Sequence, residues 1–362
     1  MDAGRHPNIT LLTWSEVEEV SGYVGNFTAH IRKQARFVNE DLCTGCGICQ
    51  EKCPIKVVDT VFEAGMGKRK VIYRPFSQAV PNIPVIDRKN CVYFIRGKCR
   101  ACEKFCPTGA IDFDQQDELL DVEVGAIVVA TGYEMWDPTQ LSQYSYGRSP
   151  NIITGLQFER LTSAGGPTGG EVLTAEGKKP ERVAIIHCIG SRDENAHPYC
   201  SRICCMYSLK QAHQVREKTG AEVYDFYMDM RAFGKAYEEF YERVQEEGIT
   251  FIRGRGAEVE VLPDGKLRVR SEDADLGRLV AVDVDMVILA TAIEPQPDAD
   301  RVAALFGLGR TPDGWFAEAH PKLRPVETST AGVFLAGCCQ GPRDVPDTVA
   351  HAGAAALEAV GL

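Results

Sequence analysis

Cys43-Thr-Gly-Cys46-Gly-Ile-Cys49-Gln-Glu-Lys-Cys53-Pro54 decides the reading of this chain, together with a second run, Cys91-x7-Cys99-x2-Cys102-x3-Cys106-Pro107. Eight cysteines at these spacings meet the demand of two [4Fe–4S] cubes. Each cube wants four thiolates at the corners of a tetrahedron. Three closely spaced cysteines on one loop reach three corners, and the fourth, followed by proline, crosses to the other cube. The spacing therefore assigns Cys43, Cys46, Cys49 and Cys106 to one cube and Cys91, Cys99, Cys102 and Cys53 to the other. Each proline lacks an N–H and turns the chain away after the crossed ligand. Gly45 and Gly47 allow backbone amides to approach the sulfurs.

Zinc sites pair two short Cys-x2-4-Cys knuckles rather than this run of four. A disulfide framework is expected in secreted chains, and MDAGRHPNIT at the start has no signal-peptide apolar region. The second run carries seven residues, Val92 to Lys98, where two are usual, so Cys91 is the ligand that spacing alone fixes least. The segment Val38-Asn-Glu-Asp before Cys43 matches Ile86-Asp-Arg-Lys before Cys91. That internal repeat is expected of a pseudo-twofold, two-cluster ferredoxin lobe.

The chain has 362 residues, 44% of them hydrophobic, which suits a globular protein of two or three domains. Its longest apolar runs, Val124–Ala130 and Met286–Ala292, are strand-sized, so no membrane span is expected. The 14 cysteines point to metal or redox chemistry in the cytoplasm. The net charge of −11 argues against a nucleic-acid partner. That charge is uneven: residues 31–117 hold 15 Lys/Arg and 10 Asp/Glu, and the remainder carries −16. A basic lobe suits an acidic redox partner, and equally offsets the negative charge of thiolate-ligated clusters.

Short strands are expected over His6–Thr13, Glu16–Ser21 and Phe27–Arg32, with turns at Gly22 and Gly25. Beyond the lobe, Val122–Tyr133 runs from a buried strand into Ala130-Thr131-Gly132. Residues 182–292 then alternate strand and helix: strand Val183–His187, helix Cys200–Lys218, strand Glu222–Tyr227, helix Ala232–Gln245, strand Thr250–Arg253. A hairpin follows at Pro263-Asp264-Gly265, and the unit closes with the strand into Ala290-Thr291. This alternation predicts a parallel sheet. Gly332–Gly337 reads as a further buried strand before a helix from about Asp347 to Val360, and the glycine-rich 163–179 as a loop.

A third cysteine group, Cys188-x11-Cys200-x3-Cys204-Cys205, stands where a dinucleotide-binding unit would place a glycine finger. Cys200 and Cys204, four apart, share a face if both are helical. With Cys188 and Cys205 they form a four-thiolate pocket, and the helix start favours an anionic cluster. Gly-x-Gly-x-x-Gly is absent there, which disfavours a nicotinamide cofactor. His187 reads as a satisfied strand-end residue rather than a ligand, and Cys338 and Cys339 as packing residues.

The arrangement resembles the two-dinucleotide-binding-domain flavoproteins, the thioredoxin-reductase-like class, whose two Rossmann-like domains each end in an Ala-Thr-Gly strand. More closely, an inserted ferredoxin followed by Cys-Ile-Gly-Ser-Arg-Asp, Tyr-Cys-Ser-Arg-Ile-Cys-Cys-Met-Tyr and Gly-Cys-Cys-Gln-Gly-Pro-Arg-Asp-Val-Pro-Asp-Thr is similar to the A-subunit family of heterodisulfide reductases. The resemblance implies a partial α/β flavoprotein fold with an inserted two-cluster (α+β) ferredoxin domain. Its expected boundaries are 1–30, 118–150 and 296–362 for the FAD-binding domain, 31–117 for the ferredoxin insertion, and 151–295 for a second Rossmann-like domain. It implies FAD near Ala130, Thr131, Gly132, Gly337, Cys338, Pro346, Asp347 and Thr348. Lys210, five residues after Cys205 on the same helix, reads either as a solvated helix lysine or as a catalytic group that stabilises reduced flavin.

The implied partners are B/C-type subunits, a hydrogenase- or formate-dehydrogenase-type donor and ferredoxin, in a hetero-oligomer that performs flavin-based bifurcation. Family members carry a longer amino-terminal region with the glycine-rich FAD-binding half. On this resemblance the chain is expected to begin near the middle of that domain, and Gly337-Cys338 stands where Gly-Asp is usual. Two other readings stand beside this one: an NAD(P)H-dependent flavoprotein of the glutamate synthase small-subunit type, and a flavin-free iron–sulfur electron wire.

Overall fold

The computed structural model describes residues 2–362, which divide into two compact units at Val124/Gly125. In the first unit, Ser15–Tyr23 (β1) and Asn26–Lys33 (β2) form an antiparallel hairpin, with Gly22 and Gly25 at positive φ. The lobe that follows is built from short pieces: Ile48–Lys52 (α1), Lys56–Asp59 (β3), Gly67–Lys70 (β4), Ile72–Tyr73 (β5), Val85–Ile86 (β6), Val92–Arg96 (α2) and Ala101–Lys104 (α3). The pairs β3–β4 and β5–β6 are antiparallel. Glu118–Val124 (β7) returns alongside β2 to complete a three-stranded sheet. The expected strand over His6–Thr13 does not form. Pro7 offers no N–H, and the Ile9 amide donates to the His6 carbonyl at 3.1 Å, so the segment turns and then runs unpaired.

The lobe's core joins Phe37, Val38, Val71, Ile72, Ile86, Ile111 and Phe113 to the cysteine side chains. The seven-residue spacer after Cys91 has a structural use. It forms α2, whose Phe94 ring stands 4.5 Å from Phe37 and whose Tyr93 ring stands 4.1 Å from Phe113. Gly97 ends that turn at φ 65°.

In the second unit, Ile127–Val129 (β8) pairs in parallel with Val333–Leu335 (β19), and Glu134–Met135 (β9) pairs with Ile293–Glu294 (β18). Ile152–Thr154 (β10), Arg182–Ile189 (β11), Glu222–Tyr227 (β12), Thr250–Arg253 (β13) and Met286–Thr291 (β17) make one parallel sheet in the order β10-β17-β11-β12-β13. Val183–Ile186 and Val287–Leu289 are wholly buried, as strands covered on both faces must be. Gly256–Val261 (β14), Leu267–Asp273 (β15) and Arg278–Val284 (β16) form an antiparallel sheet, with the hairpin turn at the expected Asp264-Gly265.

The helices are Gly155–Thr162 (α4), Cys204–Thr219 (α5), Tyr237–Glu246 (α6), Ala299–Phe306 (α7) and Val345–Val360 (α8). Thr154 and Gln157 close a capping box on α4, while Asp344 accepts from the Asp347 amide to cap α8. Two helices start later than expected. Arg202 at φ 61° cannot continue a helix, so α5 begins at Cys204 and leaves Cys200 outside it. Ala236 at φ 66° likewise delays α6 to Tyr237. No helix among the described residues is long and apolar enough to cross a membrane.

Candidate iron–sulfur and flavin sites

In the first unit, the thiols expected to share a cube face one another. Cys49 feels the charges of Cys43, Cys46 and Cys106; burial first, and then these neighbours, push its thiol up to about 11. Cys102 is pushed up to about 12 by burial, and the charges of Cys91, Cys53 and Cys49 raise it too. Cys53, Cys91, Cys99 and Cys102 line one small cavity, floored by Ile55, Ile72 and Ile86. All four members of the second group therefore open onto one space. Burial alone would raise the Cys106 thiol, but the Ala110 amide donates to its sulfur at 3.3 Å, Thr108 lies at 3.6 Å, and it falls below its ordinary value.

Basic side chains brace the ligand loops. Lys70 Nζ donates to the Cys53 carbonyl. Arg74 Nη1 donates to the Gly45 carbonyl at 3.1 Å and Arg74 Nε to Gln50 Oε1 at 2.8 Å. Gly45 is required where it stands: its φ is 67°, and a Cβ there would lie 2.6 Å from the Asn82 carbonyl oxygen. Cys99 holds φ 75° without being glycine, a conformation that surrounding structure must enforce. Part of the lobe's positive charge thus positions these loops.

In the second unit, the parallel sheet changes direction between β11 and β17, because β12 and β13 lie to one side of β11 and β17 to the other. Crevices at the carboxyl ends of such strands are where ligands bind in open α/β sheets. The third cysteine group occupies this place. Cys188, near the end of β11, takes φ 58°, and the β11–β17 register shifts between Ile186 and Ile189. Cys204 and Cys205 open α5, and Cys204 Sγ lies 3.8 Å from the Thr291 carbonyl at the end of β17.

Cys200 reaches the group from a loop, not from a shared helix face. The Arg202 amide donates to its sulfur at 3.3 Å, and the Arg202 guanidinium binds Asp347 Oδ2 at 2.6 Å. All four thiols interact electrostatically. Burial pushes Cys188 up to about 11 and Cys204 further still. Cys205 differs: burial would raise it, but His187 outweighs this and lowers it. His187, expected as a satisfied strand-end residue, lies inside β11, where Nε2 meets the buried Asp225 of β12 and Nδ1 is buried without a hydrogen-bond partner among the described residues.

The residues expected around a flavin gather on the β8–β19 pair. Ala130, Thr131 and Gly132 follow β8, with Gly132 at φ 75°. Gly337, at φ 71°, donates its amide to His351 Nδ1 at 2.9 Å, and Thr348 packs beside it. Burial holds His351 below its ordinary value, which suits a neutral acceptor. Cys339 is buried with Sγ 3.2 Å from the Val129 carbonyl, and Cys338 Sγ lies 3.4 Å from the Arg343 carbonyl. Pro346 and Asp347 are in the first turn of α8, and Asp347 is held by Arg202.

Tyr133, which the sequence did not single out, follows Gly132, is about one-third exposed, and accepts from Gln296 Nε2 at its carbonyl at 2.7 Å. Tyr207, also missed, brings its hydroxyl to 3.5 Å from the Thr291 carbonyl, the same oxygen that Cys204 Sγ approaches. Arg202, bound to Asp347, ties the Cys200 loop of the third thiol group to α8. Lys210 has another partner: its amine makes a 2.7 Å ion pair with Glu159 of α4. Among the described residues no three His, Cys, Asp or Glu side chains converge tightly enough for a single metal ion. A cubane spreads its ligands across the width of a cluster instead, and its sulfur-only donor sets are those present here.

A family model described as a 4Fe-4S binding domain matches residues 36–59, which contain the first cysteine run. The A subunit of the H(2):CoB-CoM heterodisulfide,ferredoxin reductase of Methanothermobacter thermautotrophicus is 50% identical over 363 residues, covering 99% of this chain and 54% of that protein. One of the CoB–CoM heterodisulfide reductase iron-sulfur A subunits of Methanopyrus kandleri is 51% identical, over 99% of this chain and 55% of its own length. A protein of Archaeoglobus profundus described as like the heterodisulfide reductase A subunit is 43% identical, over 100% and 57%. Among solved structures, T. acidophilum thioredoxin reductase aligns with a TM-score of 0.43 at 15% identity, covering 67% of this chain and 68% of that one. The chain spans about half the length of the curated relatives it matches. Over nearly its whole length, this chain is homologous to that half of the heterodisulfide reductase A subunits.

Proposed function

We propose that this chain is an electron-transfer part of a heterodisulfide-reductase-type oxidoreductase complex, holding three [4Fe–4S] clusters and one side of an FAD site. The observation that carries the reading is the third thiol group. Its Cys200 loop is tied through Arg202 to Asp347 in the first turn of α8, whose Thr348 packs on Gly337 after β19. Bound clusters supply one-electron steps, and a bound flavin exchanges two electrons with one-electron carriers.

The chain's own residues do the positioning. Cys43, Cys46, Cys49 and Cys106 would hold the first cluster, and Cys53, Cys91, Cys99 and Cys102 the second. Cys188, Cys200, Cys204 and Cys205 would hold the third. Burial of Cys204 and Cys205 keeps water from that centre, which strengthens every interaction with the extra negative charge of reduction. Gly132 and Gly337, both at positive φ, shape the loops that face the flavin, and Arg202 ties the Cys200 loop to the first turn of α8.

The names of the relatives support ferredoxin, and a hydrogen- or formate-linked donor, as partners in such a complex. Bifurcation at the flavin and B/C-type subunits belong to the same proposal. Its test is anaerobic reconstitution with iron, sulfide and FAD, followed by metal analysis, EPR and absorbance. Three cluster signals and a flavin band reduced together are expected. A protein that takes up two clusters and no flavin is the simple electron wire instead.

A further inference from the structure

Each cysteine group of the first unit has one thiol at the surface, Cys46 in the first and Cys99 in the second. Their surroundings differ in charge. Residues 40–52 hold three acids and one lysine, whereas residues 88–104 hold six basic residues and one acid. That acid, Glu103, is already bound to Arg100 at 2.5 Å. Arg96 and Lys98 have no carboxylate partner among the described residues. Residues 95–100 are all exposed, and Ile95 keeps 59% of its surface open. Most of this strip is the spacer that sets Cys91 and Cys99 seven residues apart instead of the usual two. The inner side of the spacer is fixed: Phe94 packs on Phe37 and Tyr93 on Phe113, with Arg88 over the Phe94 ring at 5.4 Å. The core takes those two rings of α2. Ile95, Arg96 and Lys98 are left to solvent, one apolar side chain beside two unpaired cations.

We propose that residues 95–100 are the docking surface for a small acidic protein that carries single electrons, and that this carrier exchanges an electron with the second cluster at its Cys99 edge. The inference rests on Cys53, Cys91, Cys99 and Cys102 holding a cluster, as proposed above. Cys99 both lines the cavity shared by these four thiols and reaches the surface, so it is the short route out. In the exchange the reduced centre loses one electron and the oxidised centre gains it; no bond forms or breaks and no proton moves. Encounters of this kind are brief, bury little area and depend on charge to bring the partners together. A cationic strip around one ligand steers an anionic carrier to that ligand, and Ile95 supplies an apolar contact within it. The chain as a whole carries −11, which keeps such a carrier off its other surfaces. Water screens Arg96 and Lys98 from the centre behind Cys99, whereas a docked carrier excludes that water and feels them fully.

The test is stopped-flow electron transfer from the anaerobically reconstituted, reduced full chain to an acidic flavodoxin, whose blue semiquinone reports the electron's arrival. Wild type is compared with Arg96→Glu/Lys98→Glu and with the neutral pair Arg96→Gln/Lys98→Gln. A third variant, Lys266→Glu/Lys322→Glu, makes the same charge change at exposed positions of the second unit. At about 0.1 M ionic strength the reversed pair should slow the second-order rate roughly tenfold or more, with the neutral pair between it and wild type. Both differences should shrink as salt rises, and the second-unit pair should stay within about twofold of wild type. Equal rates in wild type and both strip variants, with the second cluster present by EPR, overturn the proposal. So does an equal loss in the second-unit pair, because net charge would then govern the rate. A lowered second-cluster midpoint in the strip variants, with a rate loss that salt does not change, overturns it too: the cations would then tune the cluster. Binding of a single-stranded RNA oligonucleotide by wild type, abolished in the reversed pair, assigns the strip to nucleic acid instead. If the reversed pair loses the second cluster, the neutral pair decides alone. Wild-type protein without a second cluster defeats that assignment, and the inference with it, before any variant is compared.

Discussion

His187 and Asp225 are 38 residues apart in sequence and 2.9 Å apart in space, on the adjacent parallel strands β11 and β12. Register alone brings them together: Ile186 is paired with Phe226, so His187 and Asp225 stand diagonally across the β11–β12 ladder. This is the one buried ion pair in an otherwise apolar sheet core among the described residues, and it lies one residue before Cys188. Charges placed so deep cost several kcal/mol in desolvation, and hydrophobic residues of similar size would stabilise the sheet as well or better.

Cys204→Ser should remove one cluster and leave two. The ferredoxin-lobe cysteines lie within residues 43–106, in the first compact unit, whereas Cys204 opens α5 in the second. Iron should fall from about twelve to about eight atoms per chain, with the two lobe signals intact by EPR. Loss of all three signals together would contradict separate assembly of the centres.

Gly190→Ala should destabilise the second unit by about 2 kcal/mol or more, from backbone strain together with overpacking. Gly190 holds φ 78°, and a Cβ there would stand 2.4 Å from the buried Trp136 ring. Chemical denaturation of the metal-free protein, followed by Trp fluorescence, measures the change. A variant as stable as wild type would mean that the indole can move aside at little cost.

The loop that brings Cys200 to the site is held by Asp193, which binds Arg255 and accepts the Asn195 amide at 3.0 Å. Hydrogen bonds from Arg255 and Asn195 keep the Asp193 carboxyl below the usual carboxylate range. A carboxyl depressed on folding stabilises the fold above its unfolded value of about 4. That stabilisation is lost as pH falls through the lower, folded value. Asp193→Asn should therefore be less stable than wild type near pH 7, by about 1 kcal/mol for a partly exposed pair. The gap should close below about pH 4. Thermal melts of metal-free protein across that range decide it; a gap that persists in acid would assign the loss to packing rather than charge.

The sequence made the chemistry more legible than the geometry. The cysteine runs, the Ala-Thr ends of β8 and β17, and the strands over Glu222–Tyr227 and Thr250–Arg253 are local patterns, and they stand where periodicity and spacing put them. Cys200 was expected on a helix because four residues separate it from Cys204. Nothing in Ser201-Arg202-Ile203 announces that Arg202 takes a left-handed conformation. Arg202 itself joins Asp347 across 145 positions, and Tyr207 meets the Thr291 carbonyl only once the sheet has formed. Contacts of that range depend on strand order and register, which no local window contains. Lys210 shows the converse: its place on α5 was readable, but its partner Glu159 lies on another helix.

NADH and NADPH should fail to reduce this chain without partner subunits. A nicotinamide site at the end of β11 needs backbone amides bared by a glycine turn and a helix start free to face the pyrophosphate. Here Cys188 and Arg192 take the left-handed backbone at that turn, and Cys204 and Cys205 occupy the first turn of α5. Gly190 cannot open toward a ligand, since Trp136 packs against it. The nearest guanidinium, Arg192, is already bound to Asp229 at 2.6 Å. A pyrophosphate and a thiolate-ligated cluster would compete for one positive helix end, and burial of Cys204 and Cys205 makes the repulsion between them costly. Anaerobic titration of either nucleotide into the FAD-reconstituted chain, followed by flavin absorbance, should show no bleaching on the timescale of minutes. Rapid bleaching at micromolar nucleotide would make the chain a nicotinamide-dependent flavoprotein, with the third cysteine group serving a site that already has a hydride donor.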